Sequence, residues 1–236
     1  MRCALTISYN GTNFLGSQIQ TKTSNTIFGN LEKALLQLGI DFRVVASGRT
    51  DKGVHATGQV CHIDLPVFWN DLTKLKRNLN QMLPKSIHIK SIKKVSNNFH
   101  ARYSAKKRVY RYILKEHNEN PFENNFVTFS RDIDYQKIQR NISLFIGKHD
   151  FQQFMKTGSE INSTTRIIYK AFSYKHKGFI VLNFEGNGFL RSQIRLMVGA
   201  LLKLDSNEII QHLECKKRYK VKPVPSNGLY LAKIKY

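Results

Sequence analysis

Residues 47–58 read SGRTDKGVHATG and set Arg49, Asp51, Lys52 and His55 among glycines at Gly48, Gly53 and Gly58. Glycine at that density bends a backbone and lets a ligand approach closely. Asp51 has the chemistry of a nucleophile or base, and Arg49, two residues earlier, is a cation able to pair with it. A lone loop aspartate more often only builds a turn, and taken alone this segment reads that way. Of two rival chemistries, one fails on sequence and the other is only weakly supported. The GxxxxG half of a phosphate loop is present from Gly48 to Gly53, but Val54 and His55 stand where Lys and Ser or Thr should follow. For a shared metal, the nearest acids in sequence are Asp41 and Asp64, at a spacing that points to no common cation.

Other side chains carry paired readings. Tyr110 and Tyr112 alternate in KKRVYRYILK beside Lys106, Lys107, Arg108 and Arg111. They are either one face of a sheet core or a stacking platform for an unpaired base with phosphate-neutralising neighbours. Arg191 and Arg195 lie four apart on a predicted apolar helix, hence on one face, as surface groups or aimed at an anion. The balance of 38 Lys and Arg against 16 Asp and Glu gives a formal net charge of +22, which calls for a polyanionic partner. With that total, KSIKK (residues 90–94) and KKRYKVK (residues 216–222) read as part of an RNA track rather than merely solvated faces.

Cys3, Cys61 and Cys215 are too few and too scattered for a structural zinc site, so no metal is expected and a reduced, cytoplasmic protein is. The N-terminus lacks an apolar signal core and no apolar run approaches membrane-spanning length, which predicts a protein neither secreted nor membrane-bound.

The elements that must position these residues follow from periodicity. Cys3, Leu5, Ile7 and Tyr9 alternate as a half-buried strand. Phe28, Leu31, Leu35 and Leu38 mark a helix starting near Thr26 and stopping at Gly39. Strands are expected near residues 42–46, 59–65 and 87–95, with a helix through Leu72, Leu75, Leu79 and Met82 closed by Pro84. KKRVYRYILK is a strand with a basic entrance, and HNENPFENN (residues 117–125) reads as a boundary or excursion. A helix through Tyr135, Ile138, Ile142 and Phe145 follows, then a hairpin of residues 166–174 and 179–185 around Gly178. A long apolar helix over 189–203, a short one from 207 and a closing strand in GLYLAKIKY complete an α+β pattern with antiparallel sheet.

These blocks together resemble the tRNA pseudouridine synthase A (TruA) family. GRTDKGVHATGQV is similar to its catalytic signature, SYNGTNFLGSQIQ to its N-terminal motif, and NNFHARYSAKKRVYRYIL to its FHARFSA…YRY block. NGFLRSQIRLMVG resembles its helix near the active site and PSNGLYLAKIKY its GLYL ending. The resemblance implies Asp51 as nucleophile, Tyr110 as the tyrosine at the target base and Arg195 as partner of the catalytic carboxylate. It further implies Leu229 as a pocket wall and Arg49 near the flipped nucleotide. Ser17 stands where the family usually has tryptophan, and Asn10 where aspartate is common. Implied, too, is isomerisation of uridine at positions 38, 39 and 40 of the tRNA anticodon stem-loop, without a cofactor, by a homodimer. The implied fold is two ferredoxin-like (split βαβ) halves, residues 1–105 and 106–236, joined around a central active-site cleft. Lys52 and His55 take no role from it.

Overall fold

The computed structural model describes residues 1–21, 23–116, 119–156, 158 and 162–236. The chain forms two compact units, Met1–Lys106 with Tyr230–Tyr236, and Lys107–Leu229.

Alternation in the first strand sets the first unit. β1 (Arg2–Tyr9) buries Cys3, Leu5, Ile7 and Tyr9 on one face, as the two-residue period of a strand requires. It runs antiparallel to β4 (Ile87–Lys94) on one side and to β3 (His55–Asp64) on the other. The short β2 (Val45–Ala46) pairs antiparallel with β3 at His62 and Cys61. Helix α1 (Ile27–Gln37) precedes β2, capped by Thr26, whose hydroxyl accepts the Gly29 N–H at 3.1 Å. Helix α2 (Leu72–Met82) precedes β4 and buries Leu75 and Leu79. A βαββαβ chain with strands ordered β4–β1–β3–β2 is the ferredoxin-like arrangement. The last strand, β10 (Leu229–Lys235), read with the second half from sequence, runs parallel to β3 with Tyr230 opposite His55.

The second unit is built on β5 (Lys107–Glu116), antiparallel to β9 (Phe179–Gly186), which pairs in turn with β8 (Thr165–His176). β7 (Gly147–Asp150) extends β8, and β6 (Thr128–Ser130) lies parallel to β5. Lys177 and Gly178 join β8 to β9 with φ of 48° and 80°, the two left-handed residues that a tight hairpin turn demands. Helix α3 (Tyr135–Asn141) runs into a 3-10 turn over Ile142–Phe145, and α4 (Gln193–Lys203) and α5 (Ser206–Leu213) follow β9. The elements β5, α3, β8, β9 and α4, with strands ordered β5–β9–β8, repeat the first five elements of the first unit. Phe145, Phe151 and Phe154 meet edge-on in its core.

Three expectations need correction. The third strand starts at His55, so the second half of the glycine-rich segment is sheet rather than loop. The strand expected over 42–46 shrinks to Val45–Ala46. The long apolar helix starts only at Gln193, because Ser192 has φ 59° and the Gln193 side chain turns back to accept the Leu190 N–H at 2.8 Å. Arg191 therefore precedes the helix and shares no helical face with Arg195. In the segment 117–125, His117 and Asn118 lie outside the described residues, and the remainder leads from β5 towards β6 inside the second unit.

Candidate active site

The loop bearing Asp51 is held from three directions within the first unit. Gln59 on β3 reaches back, its Nε2 donating to the Gly48 carbonyl at 2.8 Å and its Oε1 accepting the Ser47 hydroxyl at 2.6 Å. Ser17 grips Thr50: its Oγ accepts the Thr50 N–H at 2.8 Å, and its own N–H donates to the Thr50 carbonyl at 3.1 Å. The Thr50 hydroxyl shares a 2.8 Å hydrogen bond with Tyr9, whose phenol burial pushes up to about 12, so it stays neutral. Beyond Asp51 the turn closes with the Val54 N–H donating to the Asp51 carbonyl at 3.2 Å, and Gly53 supplies the φ of 76°.

His55 completes the mount. Its Nδ1 accepts the Gly11 N–H at 3.0 Å, and its ring stacks on Tyr230 at 4.7 Å. Gly11 lies so close to Val54 that a side-chain carbon there would run into the Val54 carbonyl. The outcome is an alternation of roles: Ser47, Thr50, Val54 and His55 are buried, Asp51 is half-buried, and Arg49 and Lys52 are exposed. A rigid backbone thus presents one partly accessible carboxylate between two solvent-facing cations.

Sequence reasoning missed Ser17, Thr50 and Gln59, and left His55 without a role. Ser17 registered only as a departure from a family pattern, yet it is fully buried against the Asp51 loop. A serine on an irregular segment carries no periodic signal, so nothing in the string marks it.

The other expected site residues lie in the second unit. Tyr110 on β5 is 9% exposed and meets Phe189 edge-on at 5.2 Å. Tyr112 is core rather than a platform. It is fully buried, its hydroxyl lies 2.6 Å from Thr128 Oγ1 and donates to the Pro225 carbonyl at 2.7 Å, and burial pushes its phenol well up. Arg195 on α4 is half-buried, with Nε donating to the Val224 carbonyl at 2.6 Å. Leu229 is buried where β10 begins, its N–H donating to Ser226. The PSNG stretch before it is structural: Asn227 Nδ2 donates to the carbonyls of Asn124 and Val127, and a side chain on Gly228 would strike the Ile113 carbonyl.

The basic tracts are solvated, with Lys90, Lys93, Lys94, Lys216, Lys217, Arg218, Lys220 and Lys222 all exposed. Among the described residues no three His, Cys, Asp or Glu side chains gather as a metal-binding group.

A family profile described as tRNA pseudouridine synthase matches residues 5–104 and 142–236. A protein named tRNA pseudouridine synthase A from Campylobacter jejuni (strain RM1221) is 37% identical, and the match covers 100% of both chains. One of the same name from Wolinella succinogenes is 37% identical over 98% of this chain and 92% of its own. Another from Limosilactobacillus reuteri is 35% identical over 100% and 96% respectively. Among solved structures, a Cbf5–Nop10–Gar1 complex matches 85% of this chain and 45% of that chain at 13% identity and a TM-score of 0.40, too slight to bear on function.

Proposed function

Because the chain belongs to the tRNA pseudouridine synthase family, we propose that it isomerises uridine to pseudouridine in the anticodon stem-loop of tRNA, with Asp51 as nucleophile. The observation that carries this reading is the mount of Asp51, a half-buried carboxylate on a loop fixed by Gln59, Ser17, Tyr9 and His55.

The reaction balances without an external reagent. The bond from N1 of uracil to C1′ of ribose breaks, the base turns while held, and C5 bonds to C1′. The C5 proton leaves and N1 gains one. Asp51 enters by attacking C1′, by attacking C6, or by assisting departure of the base towards a glycal. Taking a uridine out of a stack costs a few kcal/mol, which phosphate contacts and stacking offset. A chain of net charge +22 is suited to supply the former. Tyr110 is assigned to the target base, Arg195 to the catalytic carboxylate, Leu229 to the pocket wall and Arg49 to the flipped nucleotide, on their family motifs.

The proposal includes a homodimer acting in the cytoplasm. No helix among the described residues is long and apolar enough to cross a membrane. Incubation with unmodified tRNA tritiated at uridine C5 tests the activity. Wild type is expected to release tritium and Asp51→Ala to bind tRNA without releasing any. A wild type that binds but releases none from any tRNA would leave a non-catalytic RNA-binding protein instead.

A further inference from the structure

The loop of residues 97–104, NNFHARYS, is pinned almost atom by atom inside the first unit. Arg2 Nη1 donates to the carbonyls of Asn97 and Phe99 at 2.6 and 3.2 Å, while its own Nε and Nη2 are paired with Asp64. The Ala101 N–H donates to Nδ1 of the buried His62 at 3.1 Å, and the Ala101 carbonyl accepts the Tyr236 hydroxyl at 2.9 Å. The N–H groups of Arg102 and Tyr103 both donate to His100 Nδ1 at 3.2 Å, and the His100 N–H is received by Ser104 Oγ at 3.0 Å.

All this order supports a side chain that packs into no core. Tyr103 is 78% exposed, yet its ring is not loose: it stacks on His100 at 4.3 Å and 26°. The Arg102 guanidinium carbon lies 5.8 Å from the same ring centre. An isolated exposed tyrosine needs no explanation. One stacked on a second ring above a hydrogen-bonded backbone is set up to extend that stack, and most of its surface faces water.

The charge around it selects the partner. Residues 72–115 contain 13 Lys and Arg and no Asp or Glu, and Lys93, Lys94 and Lys106 on either side of the loop are exposed. An aromatic plate in a cationic surround fits an unpaired base whose flanking phosphates meet the cations. We propose that Tyr103 is a base-stacking contact for the RNA substrate, an unpaired nucleotide extending the His100–Tyr103 stack while Arg102 and Lys106 take adjacent phosphates. The proposal rests on RNA being the substrate and deepens that reading.

Binding of full-length unmodified tRNA tests it separately from catalysis. Tyr103→Ala is expected to weaken tRNA binding about five- to 150-fold, the range for loss of one stacked base, and to raise KM with kcat unchanged. Tyr103→Trp is expected to restore binding, since it keeps the plate. The slope of log K against log salt stays that of wild type for Tyr103→Ala, because no phosphate contact is removed. Exposure of the side chain predicts an unchanged melting temperature, which guards against misfolding. Wild-type affinity in Tyr103→Ala overturns the proposal, as does equal loss in Tyr103→Trp or a reduced salt slope. A wild type that binds tRNA but forms no pseudouridine sinks the synthase reading and leaves this comparison of affinities standing.

Discussion

Ser17 and Thr50 hold each other twice, the Thr50 N–H on Ser17 Oγ at 2.8 Å and the Ser17 N–H on the Thr50 carbonyl at 3.1 Å. Asp51 is the next residue, so this clamp sets the direction in which the carboxylate leaves the loop. Ser17→Ala strands a buried N–H at a cost of about 1–3 kcal/mol. The expected result is a lower single-turnover rate with tRNA affinity retained. Equal rates for Ser17→Ala and wild type would mean that the loop keeps its geometry without the clamp.

Two glycines near that loop are predicted to behave oppositely. A Cβ on Gly11 would collide with the Val54 carbonyl and come within 2.7 Å of its carbon, whereas a Cβ on Gly48 meets nothing within 4 Å. Gly11→Ala must push the backbone beside His55 aside and should lower both stability and activity. Gly48→Ala should change stability by no more than about 1 kcal/mol. Thermal melts of the two variants decide it, and similar losses would contradict the packing described.

Tyr110 and Tyr112 offered one pattern to sequence reading, two tyrosines alternating in a basic strand. Their surroundings separate them. Tyr112→Phe removes a buried hydroxyl bonded to the Pro225 carbonyl and is expected to cost about 1–3 kcal/mol of stability, with little change in tRNA binding. Tyr110→Phe is expected to lower activity with a smaller change in melting temperature. The reverse ranking would return Tyr112 to the candidate site.

Acid should loosen both units through buried histidines. His62 Nδ1 accepts the Ala101 N–H and His212 Nδ1 accepts the Tyr219 N–H, roles open only to an unprotonated nitrogen. Burial chiefly holds both imidazoles below the ordinary 6.5, helped by the charges of Arg2 at His62 and of Arg218 at His212. The unfolded chain then binds protons at a higher pH than the native one. Stability is complete above 6.5 and falls as pH drops from there towards the lowered native values. Urea midpoints across that window should decline, and less steeply in His212→Gln. A flat profile would contradict the assigned protonation states.

Periodicity made much of this fold legible, as β1 and α1 show, with Thr26 and Gly39 marking the ends of the latter. It failed where one side chain overrode the pattern. Phe189 and Leu190 extend the apolar pattern ahead of α4, but Gln193 folding back on Leu190 starts the helix late and leaves Arg191 outside it. The candidate nucleophile was readable because its motif is compact in sequence. Ser17 and Gln59, which position it, are 34 and 8 residues away and were invisible until the chain was folded.

The central claim is that the Asp51 carboxylate acts on the uridine, and the isosteric Asp51→Asn variant tests it most directly. With enzyme saturating over tRNA, single-turnover formation of pseudouridine should fall by at least about a thousandfold, while tRNA affinity and melting temperature stay at wild-type values. A variant that converts uridine at the wild-type rate would show that Asp51 only shapes the loop.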